Sequence, residues 1–314
     1  MKKLLVTGGS GMLGKHLKEV FPNGYFPNRN EMNLLDYESV NTIIYHYQPT
    51  HIIHAAAKVG GIMDNINKPC DFLEENLLIN TNIIRASRKN NVSRLISILS
   101  TCIFPDTSSV YPMNESMLFD NSPTPTNFAY GYAKRCAAIQ IDSSNKQYNT
   151  KYNYVIPCNL YSEYDTVLRP NKMHFITALL EKIKIAEINN MDHIDLLGSG
   201  KPLRQFMYAG DLAKIIKYML DNNIYENFCV APDNHNHTID YMARTILDIL
   251  GKSQITIQYD SSKPDGQYRK DVSNELMKKF IPDFKFSTFQ ETIPRIYNTN
   301  AIRPITQVAE KINP

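Results

Sequence analysis

The sequence predicts an α/β protein in which helices pack on a parallel β-sheet. Two observations lead to this fold class. Short apolar runs alternate with helical patterns along the first half of the 314-residue chain, which is typical of βαβ units. The first of these runs also leads directly through glycines into a helix. After about residue 155 the loops lengthen and Pro and Asn become frequent, which indicates a second, smaller domain.

The predicted strands and helices divide the chain into two domains, each built from two separate segments. Residues 1–155 form the first domain, with predicted strands in KKLLVTG, THIIHAAA and RLISILS and helices in ESVNTIIYHY and ENLLINTNIIRASRKN. Residues 204–232 have a strand–helix–strand pattern and are predicted to return to the first sheet. Residues 156–203 and 233–314 are predicted to form the α/β substrate-binding domain. From about Asn298 the amphipathic pattern ends, which indicates an extension.

Composition excludes several classes of protein. The hydrophobic share of 43% and the charged share of 21% are ordinary for a globular protein, and a net charge of +3 does not favour nucleic acid. The five scattered cysteines show no CxxC pair and no zinc spacing, so we predict no metal site and reduced thiols in a cytoplasm. The LLV run near the start is too short for a signal peptide, and no stretch approaches the roughly 18 apolar residues of a membrane span.

The run TGGSGMLG places Gly8, Gly11 and Gly14 between a predicted strand and a predicted helix. Glycines let the chain turn tightly and let a pyrophosphate approach the amide groups of a helix N-terminus. Met12 and Leu13 open that helix and are predicted to contact the same ligand. The context predicts a dinucleotide site, and with it a Rossmann-type, doubly wound sheet.

The choice of dinucleotide depends on the end of the second predicted strand, in GYFPNRNEMNLLD. Arg29 stands near the position where a carboxylate would bind the ribose of NAD, so we predict NADP rather than NAD. An exposed loop arginine is the alternative. Asp36 is predicted to receive the adenine amino group or else to cap the next helix. The small side chains of HAAAKVGG, which are Ala55, Ala56 and Ala57, are predicted to line the cofactor.

The run YGYAK places Tyr130 and Lys134 four residues apart, on one side of a predicted helix, and both are also predicted to contact the cofactor. A nearby ammonium is expected to lower the pKa of Tyr130 and make it a usable acid or base. Ser100 ends the apolar run LISIL and is predicted to donate a hydrogen bond to a carbonyl oxygen that accumulates charge. Although YxxxK alone is a common surface pair, the glycine motif and Ser100 together favour a reductase.

Further motifs carry a resemblance to a known family. NEMNLLD, AAAKVGGI, STCIFP, PTNFAYGYAK, NLYSEYD, GSGKPLRQFMYAGDLA and SKPDGQYRK occur in the order found in that family, over nearly the whole chain. The sequence thus resembles the GDP-L-fucose synthase family of extended short-chain dehydrogenase/reductases. The resemblance implies NADP in the first domain and a GDP-linked 4-keto-6-deoxy sugar between the domains. It also implies epimerisation at C3 and C5 followed by reduction of the C4 ketone, in the synthesis of an activated deoxy sugar for surface polysaccharide.

The resemblance also implies roles for individual residues. Cys102 and His174 match the family's base and acid for epimerisation; a buried apolar cysteine and a helix-start histidine are the alternatives. Arg204 matches a position near the diphosphate, and Asn159 a position near the sugar. Lys263 and Arg269 are weaker candidates for the diphosphate, and each of these four residues has a solvated charge or a loop cap as its alternative. A homodimer is favoured because long helices such as the one carrying Tyr130 often pair in this superfamily.

The sequence departs from the family pattern around the sugar pocket. These departures cast doubt on fucose as the product, weaken the NADP assignment and favour a reshaped pocket that accepts a longer sugar such as a heptose. Two other functions stay open: a C4 reductase without epimerase activity, and a dinucleotide-binding regulator without turnover. The departing positions are Ser10, Ser162, Glu163, Gln205, Tyr208 and Gly210.

Overall fold

A computed structural model describes residues 2–165, 174–233 and 236–299 of the chain. The predicted extension beyond about Asn298 therefore lies almost entirely outside the described residues. The strands are β1 (Leu4–Thr7), β2 (His51–His54), β3 (Arg94–Ile98), β4 (Tyr152–Pro157), β5 (Asn159–Tyr161), β6 (His193–Leu197), β7 (Leu203–Arg204), β8 (Phe206–Tyr208), β9 (Phe228–Val230), β10 (His237–Thr238) and β11 (Thr256–Asp260). The helices are α1 (Met12–Val20), α2 (Tyr37–Tyr47), α3 (Ile62–Asn67), α4 (Pro69–Lys89), α5 (Phe128–Tyr148), α6 (Phe175–Ile188), α7 (Ala209–Asp221), α8 (Ile239–Ile249), α9 (Glu275–Phe280) and α10 (Phe289–Asn298).

The central sheet is parallel. Within the described residues it has five strands in the order β1-β2-β3-β4-β9. Leu5 lies opposite Ile52 in this register, and Leu5 also forms an isolated parallel bridge with Tyr25, so the segment before Arg29 runs beside β1. The strands are almost continuously buried because helices cover both faces of such a sheet. The predicted Rossmann-type α/β fold is confirmed.

The helices pack on this sheet in two groups. One group pairs α1 with α7, and the other places α2 beside α4 and α4 beside α5. Ile44 of α2, Ile83 of α4 and Ile141 of α5 are fully buried in the main core. Because α7 and β9 also belong to that core and β9 pairs with β4, residues 209–230 return to the first sheet. The preceding strands β7 and β8, which were predicted to return with them, pair instead with β10 and β5 in two small separate sheets.

A second hydrophobic cluster lies outside the sheet. It joins α6, α8 and α10 to β6 and to the residues Tyr161, Phe206 and Tyr208. One segment differs from the predicted division of the chain, since Met277 of α9 is buried in the main core with Ile281. The reason is that α9 packs beside β9, the last strand of the main sheet. The domain boundaries as a whole stay a prediction.

The parallel strands bring distant segments to one edge. The chain leaves β1 at Gly8, leaves β3 before Ser100 and leaves β4 before Asn159, and the carboxyl ends of parallel strands share one edge of a sheet. Ligands of open α/β sheets bind in the crevice outside this edge. Among the described helices, none combines the length and the apolar character needed to span a bilayer.

Candidate active site

The glycine loop has the close packing that a dinucleotide site requires. Gly8 has a φ of +76°, in the left-handed region that favours glycine, and its carbonyl accepts a hydrogen bond from the amide of Gly11 at 3.0 Å. A Cβ on Gly14 would lie 2.1 Å from the Gly8 oxygen, so only glycine allows helix α1 to start this close to the loop. The loop therefore fits a pyrophosphate at the N-terminus of α1.

The other residues predicted for the cofactor lie around this loop. Met12 and Leu13 form the first turn of α1, whose amide groups have no partner within the helix. Ala55 and Ala56 border the loop, because a Cβ on Gly8 would lie 2.8 Å from the backbone of each. Ala57 follows them and is half-buried.

The residues predicted to recognise the adenosine end are exposed. Arg29 lies on the surface beyond the bridge that Tyr25 forms with β1. Asp36 is the N-cap of α2, and its Oδ1 accepts a hydrogen bond from the amide of Glu38 at 3.1 Å. Asp36 thus caps α2, as the alternative interpretation of the sequence predicted. Contacts of Arg29 and Asp36 with a cofactor stay predictions.

Ser100, Tyr130 and Lys134 are brought together at the end of β3. Ser100 lies close enough to Tyr130 for a hydrogen bond between their hydroxyl groups. Lys134 is almost fully buried, and its Nζ donates a hydrogen bond to the carbonyl of Ile98 at 2.9 Å and lies 5.9 Å from the centre of the Tyr130 ring. Phe72 packs edge-on against that ring and limits its movement.

The expected lowering of the pKa of Tyr130 is wrong for this structure. Burial raises the pKa of Tyr130, and the negative charge of the Cys102 thiolate raises it further, while the hydrogen bond with Ser100 opposes both effects. Burial lowers the pKa of Lys134 to about 8, and its ammonium is directed to the Ile98 carbonyl. Tyr130 is therefore protonated at neutral pH and suited to donate a proton.

Cys102 lies in a short turn between Ser100 and Ile103, and two donors face its sulfur. Asn127 Nδ2 lies 3.1 Å from Sγ, and Lys270 Nζ lies 3.5 Å from it. Burial alone would raise the pKa of the thiol, but the charge of Lys270 and hydrogen bonds from Ser100, Lys270 and Asn127 outweigh burial, so the pKa is lowered. This environment is that of a reactive thiol rather than of an inert apolar cysteine.

Helix α5 approaches this turn through a glycine. A Cβ on Gly131 would lie 2.6 Å from the carbonyl oxygen of Cys102 and 2.8 Å from Cβ of Pro123. The glycine between Tyr130 and Tyr132 thus lets the helix that carries Tyr130 contact the turn that carries Cys102. The two groups predicted for reduction and for epimerisation consequently share one site.

His174 immediately precedes α6, and its place in the same site as Cys102 stays a prediction. Its side chain is 44% exposed, and its Nδ1 lies 3.1 Å from Oδ1 of Asp165. Burial would lower the pKa of His174, but the contact with Asp165 outweighs this and raises it. The charge of Lys270 also acts on His174, so Lys270 is near both members of the predicted acid–base pair.

The four predicted substrate contacts differ in their surroundings. Arg204 is half-buried, its guanidinium donates to the carbonyls of Leu203 at 2.8 Å and Asp265 at 3.4 Å, and the charge of Cys102 acts on it. Asn159 donates from Nδ2 to the carbonyl of Gln205 at 2.8 Å. Arg269 forms a bidentate ion pair with Asp271, at 2.6 and 3.0 Å.

Lys263 is exposed, and its recorded partner is the neighbouring Asp260. Of the predicted phosphate ligands among the described residues, Arg204 is the one on which the charge of Cys102 acts. The contacts of Asn159, Lys263 and Arg269 with a substrate stay predictions.

Two residues of the site were missed from the sequence. Asn127 and Lys270 both occur in runs that carry the family resemblance, PTNFAYGYAK and SKPDGQYRK, but spacing does not relate either of them to Cys102. Lys270 is separated from Cys102 by 168 positions. The available signal was that both residues lie inside motifs shared with the family, because no local spacing relates either of them to Cys102.

Three departures from the family pattern contact one another. Glu163 accepts hydrogen bonds from the Tyr208 hydroxyl at 2.8 Å and lies 3.2 Å from Nη1 of Arg295 in α10. Ser162 Oγ lies 2.7 Å from Nε2 of the buried His16 in α1. The loop after β5 is therefore tied both to the helix that follows the glycine loop and to the second hydrophobic cluster.

The remaining departures have separate explanations. Gln205 bonds through both ends of its amide to the backbone of Val272, at 2.9 and 3.1 Å. Gly210 leaves room for the Tyr208 ring, because a Cβ there would lie 2.4 Å from that ring. Ser10 is exposed in the glycine loop.

Removal of the Lys270 charge is expected to weaken the Cys102 thiolate. In Lys270→Met the pKa of Cys102 should rise by about 1 or more, because an opposite charge within a few ångströms shifts a pKa by about 1 to 3. The pH midpoint for alkylation of Cys102 by iodoacetamide, followed by peptide mass spectrometry, should move upward accordingly. Lys263→Met is the control, since Lys263 is exposed. An unchanged midpoint in Lys270→Met would show that Lys270 does not stabilise the thiolate.

The fold and the site define a dinucleotide-dependent reductase of the short-chain dehydrogenase/reductase type. A family model described as "NAD dependent epimerase/dehydratase family" matches residues 4–231. A GDP-L-fucose synthase of Dictyostelium discoideum is 36% identical, over 93% of this chain and 93% of that protein. A GDP-L-colitose synthase of Yersinia pseudotuberculosis is 36% identical, over 88% of this chain and 91% of that protein. The chain belongs to the NAD dependent epimerase/dehydratase family and, within it, to the GDP-L-fucose synthase family.

Solved structures share the fold. A GDP-L-fucose synthetase of Naegleria fowleri bound to NADP superposes with a TM-score of 0.82 at 28% identity, over 99% of this chain and 95% of that one. The resemblance found in the sequence is therefore confirmed.

Proposed function

We propose that the protein is an NADPH-dependent enzyme that epimerises a GDP-linked 4-keto-6-deoxy sugar at C3 and C5 and then reduces its C4 ketone. The observation that carries this proposal is the placement of Cys102. Its sulfur faces Asn127 and Lys270, and its pKa is lowered, at the same site as the Ser100 and Tyr130 hydroxyl groups. Epimerisation needs an activated base beside the proton donor, whereas hydride reduction of a ketone does not.

The epimerisation uses the acidity of the hydrogens that flank the C4 ketone. The Cys102 thiolate removes the proton from the carbon, and the enediolate oxygen receives hydrogen bonds from Ser100 and Tyr130. His174 then donates a proton to the opposite face of the same carbon. Its raised pKa keeps the acid form available at neutral pH.

The reduction uses the other half of the site. Tyr130 donates its proton to the C4 oxygen as negative charge develops there, and Ser100 donates a hydrogen bond to the same oxygen. Lys134 holds its buried position through the Ile98 carbonyl and adds positive charge beneath the Tyr130 ring. NADPH, when bound at the glycine loop, supplies the hydride.

The GDP sugar is supported by the relatives and by the position of Arg204. The names of the matched proteins refer to GDP-L-fucose and GDP-L-colitose. The half-buried guanidinium of Arg204, which feels the charge of Cys102, donates to the carbonyls of Leu203 and Asp265, and its remaining forked donors are suited to a phosphate oxygen. The tied loop at Ser162 and Glu163 reshapes the sugar side, where a heptose is the alternative to a hexose.

We also propose a homodimer in the cytoplasm. Leu78 of α4 and Ile139 and Tyr148 of α5 are exposed on two helices that pack against each other, and such an apolar face favours a partner copy. All five cysteines are free, which suits a reducing compartment. Sedimentation equilibrium should give twice the chain mass, and Ile139→Glu should give the monomer. A wild-type monomer would contradict the dimer.

Turnover of defined substrates tests the proposed function. The enzyme is incubated with GDP-4-keto-6-deoxy-mannose, or with its heptose analogue, and with NADPH or NADH. We expect NADPH to be oxidised faster than NADH and a product inverted at C3 and C5. A reduced product that is not inverted would identify a C4 reductase only. Dinucleotide binding without any oxidation would identify a non-catalytic regulator.

A further inference from the structure

The loop after β5 places a buried carboxylate against the proposed acid. Oδ1 of Asp165 lies 3.1 Å from Nδ1 of His174, and Oδ2 accepts a hydrogen bond from the backbone amide of His174 at 3.2 Å. Thr177, in the first turn of α6, supplies a further side-chain hydrogen bond to the carboxylate. The Asp165 side chain is 8% exposed. The Asp165 carboxylate therefore binds both the backbone amide and the imidazole ring of His174.

We propose that Asp165 is a positioning residue: it fixes Nδ1 of His174 and thereby leaves Nε2 as the nitrogen that delivers the proton to the substrate. This inference rests on the proposed function, because Asp165 acts through His174 and His174 is the proton donor only in the proposed epimerisation. The two ring nitrogens of histidine are distinct. When a carboxylate accepts a hydrogen bond from one of them, the other nitrogen is left to exchange its proton with the substrate. The carboxylate also stabilises the imidazolium form that a proton donor needs.

The charges around His174 agree with this assignment. Among the described residues, the charged groups recorded as acting on its ring are Asp165, from the loop after β5, and Lys270, from the segment before α9. Lys270 opposes protonation of His174 but promotes ionisation of Cys102. Without Asp165, Lys270 would thus favour the base at the expense of the acid. Asp165 allows thiolate and imidazolium to coexist in one site.

The loop that carries Asp165 is itself held in place. The amide of Asp165 donates to the carbonyl of Ser162 at 3.2 Å. The side chains of Ser162 and Glu163 bond in turn to His16 and Tyr208. The position of the carboxylate is consequently set before any substrate arrives, which is what a positioning group requires.

The test separates proton exchange from inversion. In D2O, Cys102 can remove a proton and return a deuteron to the same face, whereas inversion needs the proton from His174. We expect Asp165→Asn to retain exchange at C3 and C5 but to lose inversion about tenfold or more at pH 8, since a pKa lower by about 1 leaves tenfold less imidazolium. As the pH is lowered until His174 of the variant is protonated as well, inversion should approach that of the wild type. NMR titration of His174 should show its pKa falling by about 1 to 3.

Two further variants keep the result interpretable. Asp165→Glu retains a carboxylate and should restore part of the inversion at pH 8. Asp192→Asn is the matched control, because Asp192 forms an exposed pair with His193 at 2.8 Å and should leave inversion unchanged. A loss of inversion in Asp165→Asn that is the same at every pH, or an unchanged His174 pKa, would overturn the positioning role. Absence of both exchange and inversion in the wild type would instead overturn the proposed function.

Discussion

Tyr130→Phe is expected to abolish reduction of the keto sugar while leaving NADPH binding intact. The phenol is the proton donor to the C4 oxygen, it is protonated at neutral pH, and a positioned acid of this kind contributes about a hundredfold to ten-thousandfold to the rate. The measurement is NADPH oxidation with saturating keto sugar, together with NADPH affinity from nucleotide fluorescence. The rate of NADPH oxidation should decrease by a factor in that range, and the affinity for NADPH should change little.

Tyr132→Phe is the matched control for this prediction. Tyr132 lies two positions further along the same helix, and its hydroxyl contacts Ser122 at 3.1 Å on the exposed side of α5. This variant should reduce the ketone at close to the wild-type rate. If Tyr130→Phe kept most of its activity, another group would have to deliver the proton and the assignment of Tyr130 would be wrong.

Cys102→Ser is expected to remove epimerisation and spare reduction. A serine hydroxyl does not ionise near neutral pH, so the base that Lys270 and Asn127 stabilise is lost while Tyr130 and Ser100 remain. Deuterium incorporation at C3 and C5 from D2O, read by NMR with NADPH omitted, should fall about a hundredfold or more. With NADPH present, the variant should still oxidise the cofactor and yield a product that is not inverted.

Cys136→Ser controls for the loss of a thiol as such. Cys136 lies half-buried on α5, and its replacement should leave exchange unchanged. Retention of exchange in Cys102→Ser would mean that a different base removes the proton, and the proposed division of labour would fail.

Local patterns were sufficient to predict the sheet and the cofactor loop. The strand, the three glycines and the helix around Gly11 are contiguous in the sequence. Their spacing is therefore enough to predict the turn that a dinucleotide-binding loop needs. The same holds for Tyr130 and Lys134, which lie one helical turn apart. The pKa of Tyr130 could not be predicted in this way, because the i,i+4 pattern shows the nearby ammonium but neither the burial of the phenol nor the competing carbonyl of Ile98.

Contacts between residues far apart in the chain could not be predicted from the sequence. Lys270 reaches Cys102 across 168 positions, and Ser162 contacts His16 across 146. Such contacts depend on how α9 returns to the main sheet and on how the loop after β5 is folded. The departures Ser162, Glu163 and Tyr208 appeared in the sequence as unrelated changes, yet the structure shows that they form one connected group.

The central claim is that one site performs both inversion and reduction, and a single product analysis tests it directly. The wild-type enzyme converts GDP-4-keto-6-deoxy-mannose with unlabelled NADPH in D2O, and the product is analysed by NMR. We predict deuterium at C3 and C5, inverted configuration at both carbons and protium at C4. A product that carries protium at C3 and C5 in the original configuration would contradict the claim.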